Sequence, residues 1–454
     1  MLKQLLVGAV ITALVGGGAD AEAFPMAAGE RAVRAEAGAP APSKVRKKKS
    51  KKKANKRAAD QEQARGDVSD GVRAVWGKHP SIRYGSVFQV DLAATFMEDA
   101  HASDSRATEL SRYDLHRNRV GVSGNVFKHI EFEVERELTT KAVEPGKLAK
   151  SPWKDALVNV SFVKNAQVQA GRFKIPFGLD ELTGSSHNPF IYRSVGASSL
   201  SPGRDAGAMV HGRFLHRGLN YWAGVFDHDG DHSRSTHIAG ADQTVAGRIT
   251  GRPFRRFGAN GVELGTAFAV SSLSDAASEP NGLRGQTVVT GDTFFRAVYV
   301  KGQRRRWETD LDWAAGPASV RAEYTWTTDD RLQQGLGNQN LPDVRARSWF
   351  VSGGWKLPVA RKRAGTVELV GRVERMWFDS VKGQSADSPS RSPRAEQILP
   401  NGDRVLTVGV NWQVNRWIKL QVNAIREQVE DAERSPVSNG APFWSKAVRL
   451  QLGI

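Results

Sequence analysis

The chain has 454 residues, a formal net charge of +17 and no cysteine, so disulfides, thiolate metal sites and cysteine nucleophiles are all excluded. Apolar residues make up 40% of it, which is low for a large globular core but compatible with a β-barrel whose interior is wet. After the first residues, no stretch approaches the ~20 consecutive apolar residues that a transmembrane helix needs.

The first 23 residues have the features of a secretory signal. Lys3 supplies a positive start, residues 5–15 an apolar stretch, and Ala21-Glu22-Ala23 a small-x-small cleavage site. A membrane anchor is the alternative reading, but this stretch is too short to cross ~30 Å of hydrocarbon. We therefore expect residues 1–23 to be removed on export.

Residues 24–78 contain few large apolar side chains and are rich in Ala, Lys, Arg and Glu, which predicts a disordered periplasmic segment. Residues 44–57 hold ten basic residues and no acidic one, so the rest of the chain is still basic without them. Such a run would bind any polyanion. It is either a solvated tail, a collector of anions at the periplasmic mouth, or a cell-wall contact; export argues against nucleic acid as a partner.

From residue 79 to the end, apolar and polar residues alternate with a period of two, as in the stretches 84–96 and 130–135. Repeated alternation of this kind is typical of strands with one lipid-facing and one lumen-facing side. Further runs of the same kind are 110–124, 153–163, 166–176, 206–216, 219–228, 242–254, 260–272, 303–314, 318–329, 345–357, 364–378, 403–414, 417–429 and 444–453.

Short and long connections alternate between these runs, as periplasmic turns and external loops do in outer-membrane barrels. Residues 287–300 also look strand-like, and placing them in the fifth long connection restores the alternation. The prediction is an all-β, 16-stranded antiparallel transmembrane β-barrel over residues 79–454; a soluble β-sandwich is the alternative. The long connections are 97–109, 139–152, 177–205, 229–241, 273–302, 330–344, 379–402 and 430–443.

Tryptophans near strand ends fit the aromatic girdles of such a barrel, although each could equally be an ordinary packed residue. They are Trp153, Trp222, Trp349, Trp355, Trp377, Trp412, Trp417 and Trp444.

The chain resembles the phosphate-selective porin O/P family over most of residues 80–454. The most specific motif is GRFKIPFGLDELT at 171–183. Other similar motifs are RVGVSG at 119–124, AGR at 246–248, GPASVRAEY at 316–324 and LTVGVNW at 406–412. The resemblance implies sixteen strands, a homotrimer and an anion-selective pore whose third loop folds inward. The basic segment lies outside it, and Ile454 stands where an aromatic residue is usual.

Arginine and lysine are the residues that would line an anion path, because guanidinium matches phosphate oxygens and ammonium is a compact charge. Arg172 and Lys174 lead into the third long connection, which contains Arg193 and Arg204. The remaining candidate pore-lining or anion-binding residues are Arg117, Arg119, Arg213 and Arg248.

Each candidate has a structural alternative. Arg117 and Arg119 could pair with Glu135 and Glu133 across a tight turn, and Lys174 and Arg193 could merely anchor the loop. Residues 304–306, three consecutive arginines, favour an external funnel or a lipopolysaccharide contact.

Two weaker patterns remain. Residues 227–232 contain carboxylates and imidazoles that could hold a divalent ion but more simply form a polar turn. Residues 185–187 (Ser-Ser-His) do not create a nucleophile, base and orienting group. We expect no enzyme activity, no cofactor and no metal.

The sequence thus predicts a porin of the bacterial outer membrane for passive diffusion of phosphate or related anions such as polyphosphate, surrounded by lipid and lipopolysaccharide. The alternatives are a general, weakly anion-selective porin, or a structural outer-membrane protein with a basic periplasmic binding tail.

Overall fold

The computed structural model describes residues 72–75, 81–84, 88–105, 110–126, 129–139, 151–163, 165–214, 218–231, 243–253, 261–275, 280–358, 365–380, 394–415 and 417–453. The signal (1–23) and nearly all of the basic segment (24–78) lie outside these residues. Within the first unit of the chain, Met1–Val90, strand β1 (Val72–Val75) pairs antiparallel with β2 (Ser81–Tyr84). Residues 72–75 are therefore strand, where the sequence predicted disorder.

The second unit, Asp91–Ile454, is built almost entirely of strands, the first of which begins just before it. They are β3 (Phe88–Ser105), β4 (Leu110–Val126), β5 (Ile130–Glu137), β6 (Trp153–Val163), β7 (Ala166–Lys174), β8 (Arg204–Phe214), β9 (Leu219–Phe226), β10 (Thr244–Gly251), β11 (Val262–Leu273), β12 (Gly285–Gln286), β13 (Thr293–Phe295), β14 (Gly302–Ala315), β15 (Ala318–Arg331), β16 (Leu341–Leu357), β17 (Thr366–Ser380), β18 (Asn401–Gln413), β19 (Ile418–Val429) and β20 (Phe443–Gly453). The helices are short: α1 (Leu179–Leu182), α2 (Val195–Leu200) and the 3-10 turns Leu336–Asn338, Ala432–Arg434 and Ser438–Gly440.

The strands form an antiparallel ladder that follows chain order. From β4 to β11 each strand pairs with the next, β11 pairs with β14, and β14 to β20 again pair in order. β20 pairs with β3, from Ser445 opposite Ser105 to Gly453 opposite Met97. β12 and β13 form a separate two-stranded sheet, so residues 287–300 lie outside the main ladder, as the alternation of connections indicated.

The first long connection is shorter than the sequence predicted. Residues 97–105, which the sequence placed in a loop, belong to β3. This stretch is polar and gives little apolar alternation, but its backbone is held by the ladder with β20. Strand formation there depends on a partner from the other end of the chain.

The two faces of the sheet reverse the usual arrangement of a soluble protein. On β19, Gln421, Asn423 and Glu427 are buried while Val422 is exposed. Exposed apolar side chains recur on the same face of other strands, which does not fit a β-sandwich whose apolar faces pack together. Examples are Val120, Val122, Val168, Val210, Val245, Ile249, Leu369, Val373, Val408, Val410, Val448 and Leu450.

Most of the tryptophans proposed for girdles are at least one-third exposed: Trp153, Trp355, Trp412, Trp417 and Trp444. Trp222 is an exception, because it packs against the buried cluster around Phe173 and Phe226. No helix in the described part of the chain is long and apolar enough to cross a membrane.

Tight turns join the strands at one end of the sheet. β6 and β7 meet at Asn165, whose φ is 66°, and β14 and β15 meet at Gly316, whose φ is 57°. Two-residue antiparallel connections require such left-handed conformations, and Asn and Gly adopt them at little cost. At the other end the connections are long and carry the short helices, so that end is where a site can be built.

Candidate functional site

In the structure the third long connection comprises residues 175–203, hereafter the crossing segment; Arg204, which the sequence placed in this connection, begins β8. The crossing segment leaves β7 and is held by side chains of strands far along the ladder. The backbone N–H of Asp180 donates to Glu323 Oε2 on β15 (2.9 Å), and that of Val195 to Glu374 Oε2 on β17 (2.7 Å). The N–H of Ile191 donates to Asn423 Oδ1 on β19 (2.9 Å). The segment therefore lies across the polar face of the sheet.

Buried cations on β17, β19 and β20 donate to carbonyl oxygens of the crossing segment. Arg372 donates to the carbonyls of residues 192 and 193, each at 3.2 Å. Lys419 donates to the carbonyl of Asn188 at 2.9 Å, and Arg449 to that of Ile191 at 3.3 Å. These side chains stabilise the loop backbone, which would otherwise bury unsatisfied carbonyl groups.

Local sequence explains why the chain turns here. Gly178 adopts a φ of 81°, which a side chain would strain, and it precedes α1. Ser194 caps α2 by accepting the N–H of Ala197 (3.2 Å). Asp180 organises the loop between the two helices, because its carboxylate accepts from Asn188 Nδ2 (2.9 Å) and from the N–H of Ser194 (2.6 Å).

Two of the candidate cations share one carboxylate where this segment leaves the sheet. Arg193 Nε lies 3.2 Å from Glu181 Oε2, and Lys174 Nζ lies 3.8 Å from Glu181 Oε1. Both also donate to nearby carbonyls, Lys174 to that of Glu181 and Arg193 to that of Thr183. We call Lys174, Glu181 and Arg193 the loop-base cluster; it holds two cations and one carboxylate.

Two further candidates lie beside this cluster and are paired. Arg204 stands directly opposite Lys174 in the β7–β8 ladder, and its Nη2 lies 2.8 Å from Asp155 Oδ2. Arg172 Nη2 lies 3.3 Å from Asp231 Oδ2. The structure thus brings together four cations that were predicted from the sequence as site residues. They pair with carboxylates that were not predicted as their partners. The four cations are Arg172, Lys174, Arg193 and Arg204.

Arg119 pairs across the β4–β5 turn, but the residue directly opposite it lies four positions further along β5 than expected. Its Nη1 lies 2.9 Å from Glu135 Oε1, and its Nε lies 2.8 Å from Glu137 Oε2. Glu137, rather than Glu133, is the second partner because Arg119 lies opposite Glu137 in the ladder. Arg117 is also engaged in a polar interaction.

Sequence reasoning treated Glu133 and Glu135 only as partners of arginines and did not recognise an acidic row on β5. Glu131, Glu133, Glu135 and Glu137 alternate with Val134 and its neighbours, and Val134 is on the exposed apolar face. All four glutamates therefore lie on the polar face. The strict alternation of residues 130–137 was the signal that could have identified it.

The remaining candidates are not brought to the loop-base cluster. Arg248 is only 5% exposed and lies between Glu308 Oε2 (2.8 Å) and Asp310 Oδ2 (2.6 Å), so it braces β10 against β14. Arg213 is exposed near the end of β8.

The sequence pattern of a known family, described as phosphate-selective porin O and P, matches residues 89–452. The chain belongs to this family. It is therefore a porin of the bacterial outer membrane, a channel and not an enzyme. No curated protein matches the chain in sequence.

Solved structures with similar folds are also outer-membrane proteins. The trimer form of OmpT from Vibrio cholerae is 10% identical, with a TM-score of 0.54 over 80% of this chain and 99% of that one. An anion-selective porin from Comamonas acidovorans is 13% identical (TM-score 0.50, 80% and 100% covered). The outer membrane channel DcaP of Acinetobacter baumannii is 10% identical (TM-score 0.50, 80% and 97% covered). At these identities the likeness concerns the fold.

In this porin the positions of the consecutive arginines 304–306 differ from the external position that the sequence predicted for them. Arg304 and Arg306 are buried and both pair with Asp229, Arg304 Nη1 at 2.6 Å from Asp229 Oδ2. An external funnel is therefore wrong for these two; only Arg305 is exposed, and it pairs with Asp330.

Asp229 lies in the stretch 227–232 that was considered as a metal site. Its carboxylate forms ion pairs with Arg304 and Arg306. Burial alone would raise the pKa of Asp229, but Arg306 and Arg304 hold it well below its ordinary value. Within the described residues, no group of three or more His, Asp or Glu side chains could hold a metal ion.

Proposed function

We propose that this porin passes phosphate and related small anions by passive diffusion, selected electrostatically at the loop-base cluster. The observation that carries the proposal is the sharing of Glu181 by Lys174 and Arg193, beside the Arg204–Asp155 pair. Three cations against two carboxylates leave a local excess of positive charge. The family description and the anion-selective porin from Comamonas acidovorans agree with this polarity.

The proposed architecture is a closed barrel of sixteen strands. Support comes from the ladder, which runs in chain order from β4 through β11, skips β12 and β13, and returns from β20 to β3. Closure removes the exposed strand edges, which lipid could not hydrogen-bond.

The crossing segment would then form the constriction inside the barrel. Its hydrogen bonds to Glu323, Glu374 and Asn423 are what support an inward position. Polar-face residues of β14–β20 are mostly buried, whereas Glu131 and Glu133 on β5 are exposed. This supports an open path on the β4–β8 side, past the loop-base cluster.

Selection in such a path requires weak contacts in series, because a tight site would stop conduction. Lys174 and Arg193 suit this, since each already shares its charge with Glu181 and with loop carbonyls. An arriving phosphate would replace part of its hydration shell with these donors and leave again quickly.

A general, weakly anion-selective porin is the second candidate, and the acidic row on β5 favours it. Exposed Glu131 and Glu133 on the polar face would attract cations and oppose the selectivity of the cluster. The relative influence of the acidic row and of the loop-base cluster on a passing anion decides whether the porin is phosphate-selective or only weakly anion-selective.

Residues 1–23 would be removed on export, and residues 24–78 would form a basic periplasmic segment. A homotrimer is proposed because the similar OmpT structure from Vibrio cholerae is a trimer form. If the basic segment were the functional module, deleting residues 24–78 would abolish function and leave conductance intact.

Planar bilayer recording tests the proposal. Under a salt gradient the reversal potential should indicate preference for chloride over potassium, and added phosphate should block chloride current at low concentration. Preference for potassium would overturn anion passage. Chloride preference without a phosphate block would leave the general porin as the function.

A further inference from the structure

The exposed apolar face of the sheet changes character near the ends of β16–β19 that carry long connections. Five arginines interrupt it there, and we call them the outer basic patch. Long connections are external in outer-membrane barrels, so the patch lies at the external side. Its members are Arg345 and Arg347 on β16, Arg375 on β17, Arg404 on β18 and Arg426 on β19.

The patch faces away from the proposed anion path. On β18, Arg404 is 62% exposed and shares its face with exposed Val408 and Val410. On β19, Arg426 shares its face with exposed Val422, while its neighbours Ile425 and Glu427 are buried on the other face. These arginines therefore border the lipid-facing side of the sheet.

The patch lies at the border of the apolar band. Trp377 stands opposite Gly402, and Trp412 follows ten residues later on β18, with exposed Val408 and Val410 between. Ten residues at ~3.3 Å each, with a strand tilt of about 40°, span roughly 25 Å of membrane thickness. That is the height of an apolar band, so Trp377 and the arginines around it lie at headgroup level.

Positive charge is in excess within the patch. Arg375 and Arg404 lie directly opposite each other and share Glu430, with Nε to Oε1 distances of 2.7 and 2.8 Å. Like charges at this position repel unless a counter-charge is present. Burial would raise the pKa of Glu430, but hydrogen bonds from Arg375 and Arg404 lower it below its ordinary value.

The same ratio of two arginines to one carboxylate recurs on β16 and β17. Arg345 and Arg347 share Asp379, at 2.6 and 3.0 Å. Trp377 lies between the two groups, with Arg347 at 5.4 Å and Arg375 at 4.8 Å from its ring centroid. The guanidinium groups are thus held in place by aromatic and carboxylate contacts, with donors left over for a ligand.

The excess of arginine side chains over carboxylates is local to the outer basic patch. Arg426 lies opposite Leu406, two residues from Arg404, and adds a fifth cation to two carboxylates. On the β15 side, Asp330 on β15 and Asp343 at the start of β16 lie near Arg305 and outnumber it, and toward β20, Lys446 stands opposite Asp104. The positive charge is therefore confined to β16–β19.

We propose that the outer basic patch binds the phosphate groups of a phosphorylated glycolipid in the external leaflet. The lipid-facing position, the headgroup level and the excess of forked guanidinium donors together match an anionic headgroup rather than a solute in the pore. This assignment depends on the membrane location of the porin and is independent of its ion selectivity.

Binding of phosphorylated and enzymatically dephosphorylated lipid A to the detergent-purified porin tests the proposal. The wild type should bind the phosphorylated form at least tenfold more tightly, and increasing salt should weaken that binding. The triple variant Arg375→Gln/Arg404→Gln/Arg426→Gln should lose most of the preference. Arg136→Gln is the matched control, because Arg136 is exposed and lies 5.0 Å over the ring of Trp153, outside the patch.

Unchanged single-channel conductance shows that the variants are folded, since the patch lies outside the path. If the triple variant does not fold, Arg426→Gln alone carries the test, because Arg426 forms no ion pair among the described residues. Equal binding of both lipid forms, or competition by millimolar inorganic phosphate, would overturn the proposal. So would loss of oligomers in the triple variant without lipid, which would make the patch an interface between copies.

Discussion

Asp180 donates its backbone N–H to the carboxylate of Glu323, a residue 143 positions later in the chain. This bond of 2.9 Å connects the first helix of the crossing segment to β15. Together with the bonds to β17 and β19, it fixes how far the segment extends over the polar face. In the proposed pore, contacts of this kind would set the width of the path.

Replacing Glu323 tests that dependence. Glu323→Ala should destabilise the protein by about 1–3 kcal/mol, because a buried N–H loses its acceptor. The mean single-channel conductance should also increase, and the distribution of its values should become broader, because the crossing segment moves. Glu323→Gln retains an acceptor oxygen and is the matched control. Equal conductance of the alanine variant and the wild type would show that the segment does not set the path width.

The loop-base cluster makes a prediction about phosphate. Lys174→Ala or Arg193→Ala should weaken the block of chloride current by phosphate, because either change leaves one cation against Glu181. Exposed Arg213 at the end of β8 supplies the control, and Arg213→Ala should leave the block intact. An unchanged block in both cluster variants would remove the site assignment.

Glu181→Gln separates permeation from anchoring. Removing the only carboxylate of the cluster raises its net positive charge, so chloride preference in the reversal potential should increase. A cluster that only anchors the loop would instead give unstable conductance with no gain in preference.

The acidic row on β5 should oppose anion passage. Glu131→Gln/Glu133→Gln removes two exposed carboxylates from the polar face, so the reversal potential should shift further toward chloride. Glu433→Gln removes one exposed carboxylate from another connection and controls for net charge. If the shift in potential per charge removed is equal in both variants, the row does not line the path.

Asp229 should contribute strongly to stability. Asp229→Asn leaves buried Arg304 and Arg306 without their shared counter-charge, which costs about 3–5 kcal/mol when a buried pair is broken. Thermal unfolding at pH 7 measures it. Asp227→Asn, at a half-exposed neighbour, should change stability little.

The pH dependence of that difference has a defined sign. The folded pKa of Asp229 lies below its unfolded value of about 3.9, so its stabilisation is complete above that value. The difference between wild type and Asp229→Asn should stay constant from pH 7 to 5 and decrease below pH ~4. A decrease between pH 7 and 5 would contradict the lowered pKa.

Much of the fold could be predicted from the sequence, because alternation is a local property. The strand pattern, the alternation of short and long connections and the exclusion of residues 287–300 from the main ladder all follow from residues close in the chain. The first loop was predicted too long because the strand character of residues 97–105 depends on pairing with β20.

Sequence by itself determined the family, the membrane-facing alternation and which cations lie around the third loop, since these depend on motif and period. Only the tertiary structure decided what each cation faces. Arg248 meets carboxylates 60 and 62 residues away, and Arg304 meets Asp229 75 residues away. Such pairings depend on register and loop path, which bring distant residues together and leave no periodic trace in the chain.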